Sequence, residues 1–272
     1  MSGLDAARSA IKDLIEGAPG RVGLVIKDLG TGLVLEWSPE ERFPAASVIK
    51  VPVLVEALRQ AQSDALRLDE RLPVRAEDKV GGFGILKDLE SVQELTLLDL
   101  LTLMIISSDN TAANLCIERV GMTAVNKTMA ALGLKETTLQ RKMMDMEARK
   151  RGLDNFTTPA DMARLLELLA GKRILTPEAC DLALGILRRQ QVRDRIPLRL
   201  PPDVAVGHKT GELPGVRHDV GIVFTKNGLL VIAALTKEFN TPLGQGLIGG
   251  EAAALIAEVS RAAYDAVMTG NS

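Results

Sequence analysis

The chain has 272 residues, 46% of them apolar and only 3% aromatic, and its 33 basic and 35 acidic side chains leave a formal charge of −2. That length and apolar content suit one large domain or two lobes around a substantial core, which excludes a disordered chain. Nothing in these totals suggests nucleic acid or an anionic membrane as a partner, the scarcity of aromatics argues against base stacking, and no apolar run reaches the roughly 18–20 residues that span a bilayer.

Leu4, Ala7, Ile11, Leu14 and Ile15 recur at helical spacing, and Gly17-Ala18-Pro19-Gly20 stops that helix. Arg21 to Leu29 reads as a strand, Gly30-Thr31-Gly32 as a turn, and Leu33 to Trp37 as the returning strand. Phe43 to Pro52 ends an extended segment and opens an apolar helix running to about Gln62. A loop containing Gly81-Gly82-Phe83-Gly84 follows. Thr96 is the expected cap of a helix from Leu97 to Ile106, and helices from Thr111 to Val120 and Thr123 to Leu132 come next, ended by Gly121 and Gly133. Arg141 to Asn155 is charged and methionine-bearing, a loop with at most a short helical turn. Thr157-Thr158-Pro159 and Thr176-Pro177 start two further helices, reaching Leu169 and about Gln190. Val204 to His208, His218 to Thr225 and Leu229 to Thr236 read as strands, the last two joined by Asn227-Gly228, and Glu251 to Met268 is a closing helix.

This order predicts an α+β fold: an antiparallel sheet formed from both chain ends, flanked by helices, with an inserted all-α lobe. The expected division is an α/β lobe of residues 1–45 plus 195–272 and a helical lobe of 46–194. Cys116 and Cys180 sit among apolar helical residues and read as core side chains. With two histidines and no metal-ligand spacing, neither a metal site nor another cofactor is expected. Met1 to Asp5 shows no basic stretch followed by an apolar run, so no signal peptide is read here. The compartment stays open: periplasmic or secreted if a leader has been removed, otherwise cytoplasmic. Gly244 to Gly249 spells G-x-G-x-x-G, but only one helix follows it, which argues for a turn rather than a dinucleotide site.

Three short motifs carry the chemistry. In Ser47-Val48-Ile49-Lys50 the hydroxyl and the amine lie three residues apart, on one helical face. A serine needs a base beside it, and desolvation together with a helix N-terminus would lower the lysine pKa enough to provide one. The plain alternative is a helix-capping serine beside a solvated lysine. Ser108-Asp109-Asn110 falls at a helix–helix junction, and Lys209-Thr210-Gly211 on the strand after the helical block.

Together and in this order the three resemble the class A β-lactamase and penicillin-binding protein superfamily. Thr111-Ala112-Ala113-Asn114-Leu115 and Thr157-Thr158-Pro159 are similar to it as well. The resemblance implies a β-lactam or a peptidoglycan-like peptide as the partner. It implies Ser47 as nucleophile, Lys50 as its base and Ser108 as proton relay to the leaving nitrogen. Asn110 would meet the substrate amide, and Lys209 and Thr210 its carboxylate. Gly211 would let a ligand approach the strand, and the backbone N–H groups of Ser47 and Glu212 would form an oxyanion hole. Arg217 would help with a carboxylate or be a solvated turn residue; His218 reads as structural.

The match departs in one loop. If Arg141 opens the family's loop, the position of its deacylating glutamate falls on Met143, and Glu147 comes four residues later. Either Glu147 reaches the water from a new position, or no deacylating base exists and the acyl group stays on Ser47. Met143, Met144 and Met146 read as core-facing anchors. The expected functions are thus a serine β-lactamase, a D-Ala-D-Ala-type peptidase that deacylates poorly, or a non-catalytic sensor.

Overall fold

The computed structural model describes residues 3–239 and 250–269; the Gly244–Gly249 motif lies outside them. A 3-10 turn, Gly3–Ala7, leads into α1 (Arg8–Glu16), followed by the hairpin β1 (Arg21–Asp28) and β2 (Val34–Trp37). A short strand, β3 (Phe43–Pro44), feeds a 3-10 turn, Ala46–Ile49, and then α2 (Lys50–Gln62). Next come β4 (Arg71–Pro73), β5 (Glu94–Thr96), α3 (Leu97–Ile106), α4 (Asn110–Val120) and α5 (Met122–Ala131). The charged loop holds one short helix, α6 (Met146–Lys150), before β6 (Phe156–Thr157), α7 (Pro159–Ala170) and α8 (Pro177–Leu187). The strands β7 (Ala205–Leu213), β8 (Val216–Thr225) and β9 (Gly228–Lys237) and the helix α9 (Gly250–Thr269) complete the fold.

The main sheet has the order β2-β1-β9-β8-β7 and is antiparallel throughout, so both chain ends build it, as expected. Its strands read as nearly continuous apolar runs because both faces are covered. Along β9, Val231, Ala233 and Leu235 belong to one core, shared with α2, α3, α4, α7 and α8. Leu230, Ile232 and Ala234 point the other way, into a second core under α1 and α9. The hydroxyl caps behave as read: Thr96, Thr158 and Thr176 each accept a backbone N–H from the first turn of α3, α7 and α8.

Strand β7 is longer than its apolar pattern suggested. It runs past His208 through Lys209, Thr210, Gly211 and Glu212, because each of these pairs in register with β8, up to Leu213 opposite Val216. The pairs β3–β6 and β4–β5 are too short to carry a periodic signal. Among the described residues no helix is long and apolar enough to cross a membrane.

One glycine sets how closely the segment leading to Ser47 lies on the sheet. A Cβ on Gly23 of β1 would come within 2.6 Å of both the Phe43 ring and the Pro159 ring. Gly23→Ala must therefore push β3 and the start of α7 away from the sheet. The expected loss is about 1–3 kcal/mol of unfolding free energy by urea titration; unchanged stability would mean that this contact is loose.

Candidate active site

Ser47 lies inside the 3-10 turn that joins β3 to α2, so it does not cap the helix; Ile49 precedes α2. The turn is held from three sides. Phe43 and Pro44 pair with Thr157 and Phe156, and the Ala45 N–H donates to the Asn155 carbonyl at 2.8 Å. His218, buried on β8, lies with Nε2 2.8 Å from the Pro44 carbonyl oxygen, and its Nδ1 accepts the Thr236 N–H at 3.1 Å. This defines a neutral imidazole that donates through Nε2, and burial pushes its pKa down to about 4. Ala46, just before Ser47, has φ +46°, and Ser108 has φ +56°. Such conformations cost non-glycine residues of order 1–3 kcal/mol and persist only where their surroundings impose them.

Beneath the turn lies Lys50, with 0% exposure. Its Nζ donates to the Ser108 carbonyl at 2.7 Å and to Asn110 Oδ1 at 2.9 Å, and stands 3.2 Å from Ser108 Oγ. Burial brings its pKa down to about 7, against the opposing charge of Asp109. Near neutrality the amine therefore exists partly with a free lone pair, the state a general base requires.

The Ser108-Asp109-Asn110 segment is fixed by the loop in front of it. Asp109 caps α4 through the Ala112 N–H and accepts the N–H groups of Ile85 and Leu86 at 2.7 and 2.9 Å. Asn110 gives its amide N–H to the Gly81 carbonyl at 3.1 Å. Asn110 thus holds the lysine through its oxygen and the loop through one of its two amide hydrogens, and it lines the cleft.

Strand β7 forms the opposite wall. Thr210 and Glu212 face the space above Ser47, whereas Lys209 is fully buried, donates to the Thr210 carbonyl at 2.8 Å and lines no part of the cleft. Burial, and Lys50 nearby, hold the Lys209 ammonium well below its usual pKa. Gly211 also departs from expectation. A Cβ there would lie 3.2 Å from Ala46 Cβ and Val48 Cγ1, so its missing side chain admits the Ser47 turn rather than a ligand. Arg217 is no solvated turn residue: it is buried and paired with Glu212 at 3.0 Å. Arg195, which the sequence did not single out, is buried beside it, 3.0 Å from the other Glu212 oxygen.

Ser47, Asn110 and Glu212 share a cleft of about 390 Å³ with Phe83, Met143, Met144 and Met146. Its narrow end is lined by Ser47, Ser108, Thr210, Glu212, Phe83 and Val192. Of these three methionines Met143 is buried, with its backbone bound on both sides by the Asn114 side chain; Met144 and Met146 are about half exposed and wall the cleft. Their loop is clipped at its ends by Arg141 and Asp154, 2.8 Å apart.

Glu147 is not brought to this site. It lies on α6 with a side chain 79% exposed, paired with Lys150 at 2.8 Å, and it does not line the cleft. Capping by Asp145 sets the direction of α6 and turns this residue outward.

The Lys50 geometry has a consequence for folding. A lysine whose pKa falls from 10.5 to about 7 on folding binds fewer protons folded than unfolded between those values. Stability therefore rises with pH across that window, and the cost of the buried charge is fully present below about pH 7. Lys50→Met should flatten this rise, measured as unfolding free energy at pH 7 and pH 10; an unchanged slope would show that Lys50 is already solvated when folded.

The sequence matches the β-lactamase enzyme family over residues 6–267. It is 31% identical to β-lactamase L2 of Stenotrophomonas maltophilia over 80% of this chain and 70% of that protein. The fold superposes on the crystal structure of a β-lactamase from Sphaerobacter thermophilus with a TM-score of 0.86 and 34% identity, covering 96% of this chain and 97% of the other. A leucine-to-glutamate variant of PBP-A, solved as an acyl-enzyme with penicillin G, matches with a TM-score of 0.87 and 30% identity, covering 98% and 97% of the two chains.

Proposed function

The chain belongs to the β-lactamase enzyme family, and from that premise we propose that it is a serine hydrolase opening β-lactams through an acyl-enzyme on Ser47. The observation that carries this is the Lys50 amine, fully buried under the Ser47 turn and 3.2 Å from Ser108 Oγ. Ser47 Oγ attacks the lactam carbonyl carbon and Lys50 Nζ takes its proton. When the carbon–nitrogen bond breaks, Ser108 gives its hydroxyl proton to the ring nitrogen and is reprotonated by Lys50. The oxyanion would be met by the N–H groups of Ser47 and of Glu212, since β7 is an edge strand whose outer side is unpaired by the sheet. A donor of this kind typically supplies about 3–4 kcal/mol.

Release of the acyl group needs a base for water. Among the described residues that line the cleft and its narrow end, the one carboxylate is Glu212, which two arginines hold. This favours a second reading, a persistent acyl-enzyme in the manner of a penicillin-binding peptidase. Neither reading involves a metal or other cofactor.

Intact-mass spectrometry over time after adding benzylpenicillin tests the proposal. The adduct should appear on the wild type and be absent from Ser47→Ala, and Lys50→Ala should slow its formation by orders of magnitude. The acylation rate should climb with pH through about 7, as Lys50 loses its proton. Attachment at a residue other than Ser47 would refute the mechanism.

Adduct decay separates the two readings. Glu147→Gln should leave its rate within about twofold, given the exposed side chain. Met143→Glu, which places a carboxylate in the cleft, should speed decay at least tenfold. A large loss in Glu147→Gln would restore Glu147 as the deacylating base.

A further inference from the structure

The cleft ends at β7 in a charge arrangement that acylation does not use. Glu212 lines both the main cavity and its narrow end, whereas neither Arg195 nor Arg217 lines either. One Glu212 oxygen lies 3.0 Å from Arg217 Nη2 and the other 3.0 Å from Arg195 Nη2. Each guanidinium makes further contacts. Arg217 Nη1 donates to the carbonyls of Leu213 and Val216 at 3.2 and 2.9 Å. Arg195 Nη1 donates to the His218 carbonyl at 3.4 Å, and its Nε lies 3.6 Å from Asp194.

A guanidinium is the side chain best shaped to grip a carboxylate. Here two of them grip the protein's own. Both are almost fully buried, so the pairing takes place where screening by water is weak. Arg195 and Arg217 against Glu212 and Asp194 sum to zero, and within this cluster Glu212 is the member that faces the cavity, whose other charged lining residues, Arg141 and Arg149, lie on the methionine-bearing loop and share Asp154. A ligand carboxylate reaching this end meets Glu212 before either arginine and is repelled by it.

We infer that Glu212 is an internal counter-carboxylate that determines charge specificity: it occupies the arginine pair, so the cleft takes β-lactams whose group at the β7 end is uncharged, an ester or an amide, as readily as those with a free carboxylate. The inference rests on the β-lactam reading of the cleft and names the substrate class within it. At the β7 end the gain that this arginine pair could give a substrate carboxylate is absent, because Glu212 already holds both guanidinium groups.

The test compares benzylpenicillin with its methyl ester on the full chain, reading the ratio of second-order acylation rates by intact mass. For the wild type the acid-to-ester ratio should lie within about threefold of one, after correction for the ester's intrinsic reactivity toward a small amine. In Glu212→Gln, which keeps an acceptor but frees the arginine charge, the ratio should rise at least tenfold toward the acid. Because it is a ratio within one protein, partial misfolding does not move it. A wild-type preference for the acid above thirtyfold, or an unchanged ratio in Glu212→Gln, overturns the inference. If Glu212→Gln does not fold, the wild-type ratio decides. If neither compound acylates Ser47, the functional reading fails instead, and the acid-to-ester ratio of equilibrium binding constants in Ser47→Ala decides; no binding of either compound overturns both.

Discussion

A lysine with no exposed surface must be held by neighbours, and the centre of this molecule is organised around holding Lys50. An unpaired buried ammonium would be very costly. Here the Ser108 carbonyl and Asn110 Oδ1 accept its hydrogens. They do not cancel the desolvation, and burial still lowers the pKa to about 7. The result is an amine positioned by hydrogen bonds yet able to give up its charge near neutrality. The Ser108-Asp109-Asn110 turn, its strained φ at Ser108 and the loop of residues 81–86 clamped to Asp109 all serve to keep those two acceptors in place.

The placing of Ser47 depends on a second constraint, the contact of a sheet edge with a turn. Strand β7 leaves its outer side unpaired by another strand, and the Ala46–Ile49 turn closes against it. Gly211 eases this approach, because a Cβ there would lie 3.2 Å from Ala46 Cβ and Val48 Cγ1, and the turn would have to give by a few tenths of an ångström. From the interior, His218 ties Pro44 to β9 through Thr236. Ser47 thus sits at a junction of three segments distant in the chain, and the strain at Ala46 is maintained by packing on both sides.

The remaining walls decide what the junction does. The methionine-bearing loop, clipped by Arg141 and Asp154 and tied to α4 through Asn114, gives a wall of Met143, Met144 and Met146 with Arg141, Arg149 and Asn155, and no carboxylate. The β7 wall carries a carboxylate already satisfied by two arginines. Such a cleft brings Ser47, Ser108 and Thr210 together at one end and offers one carboxylate, Glu212, among its described lining residues. The contrast lies within one cavity, between residues set by helix packing and residues set by strand register.

Much of this was legible without coordinates. Helical periodicity, the Thr96, Thr158 and Thr176 caps and the Asn227-Gly228 turn all act through residues at most four apart, and the three motifs announced themselves by residue type and order. Burial of Lys50 could be argued from Val48, Ile49 and Val51 beside it. Other features depended on which distant segments meet. Lys209-Thr210-Gly211 was placed on a strand by its motif, but which of its residues face the cleft follows from the pairing with β8. The direction of Glu147 follows from where α6 starts, and the exposure of Met144 and Met146 from where their loop is pinned. The Arg195–Glu212–Arg217 cluster needs the β7–β8 register and the approach of the segment before β7. Local propensity is a property of neighbours in sequence, whereas burial, charge pairing and the aim of a side chain are properties of neighbours in space, and only the tertiary structure supplies those.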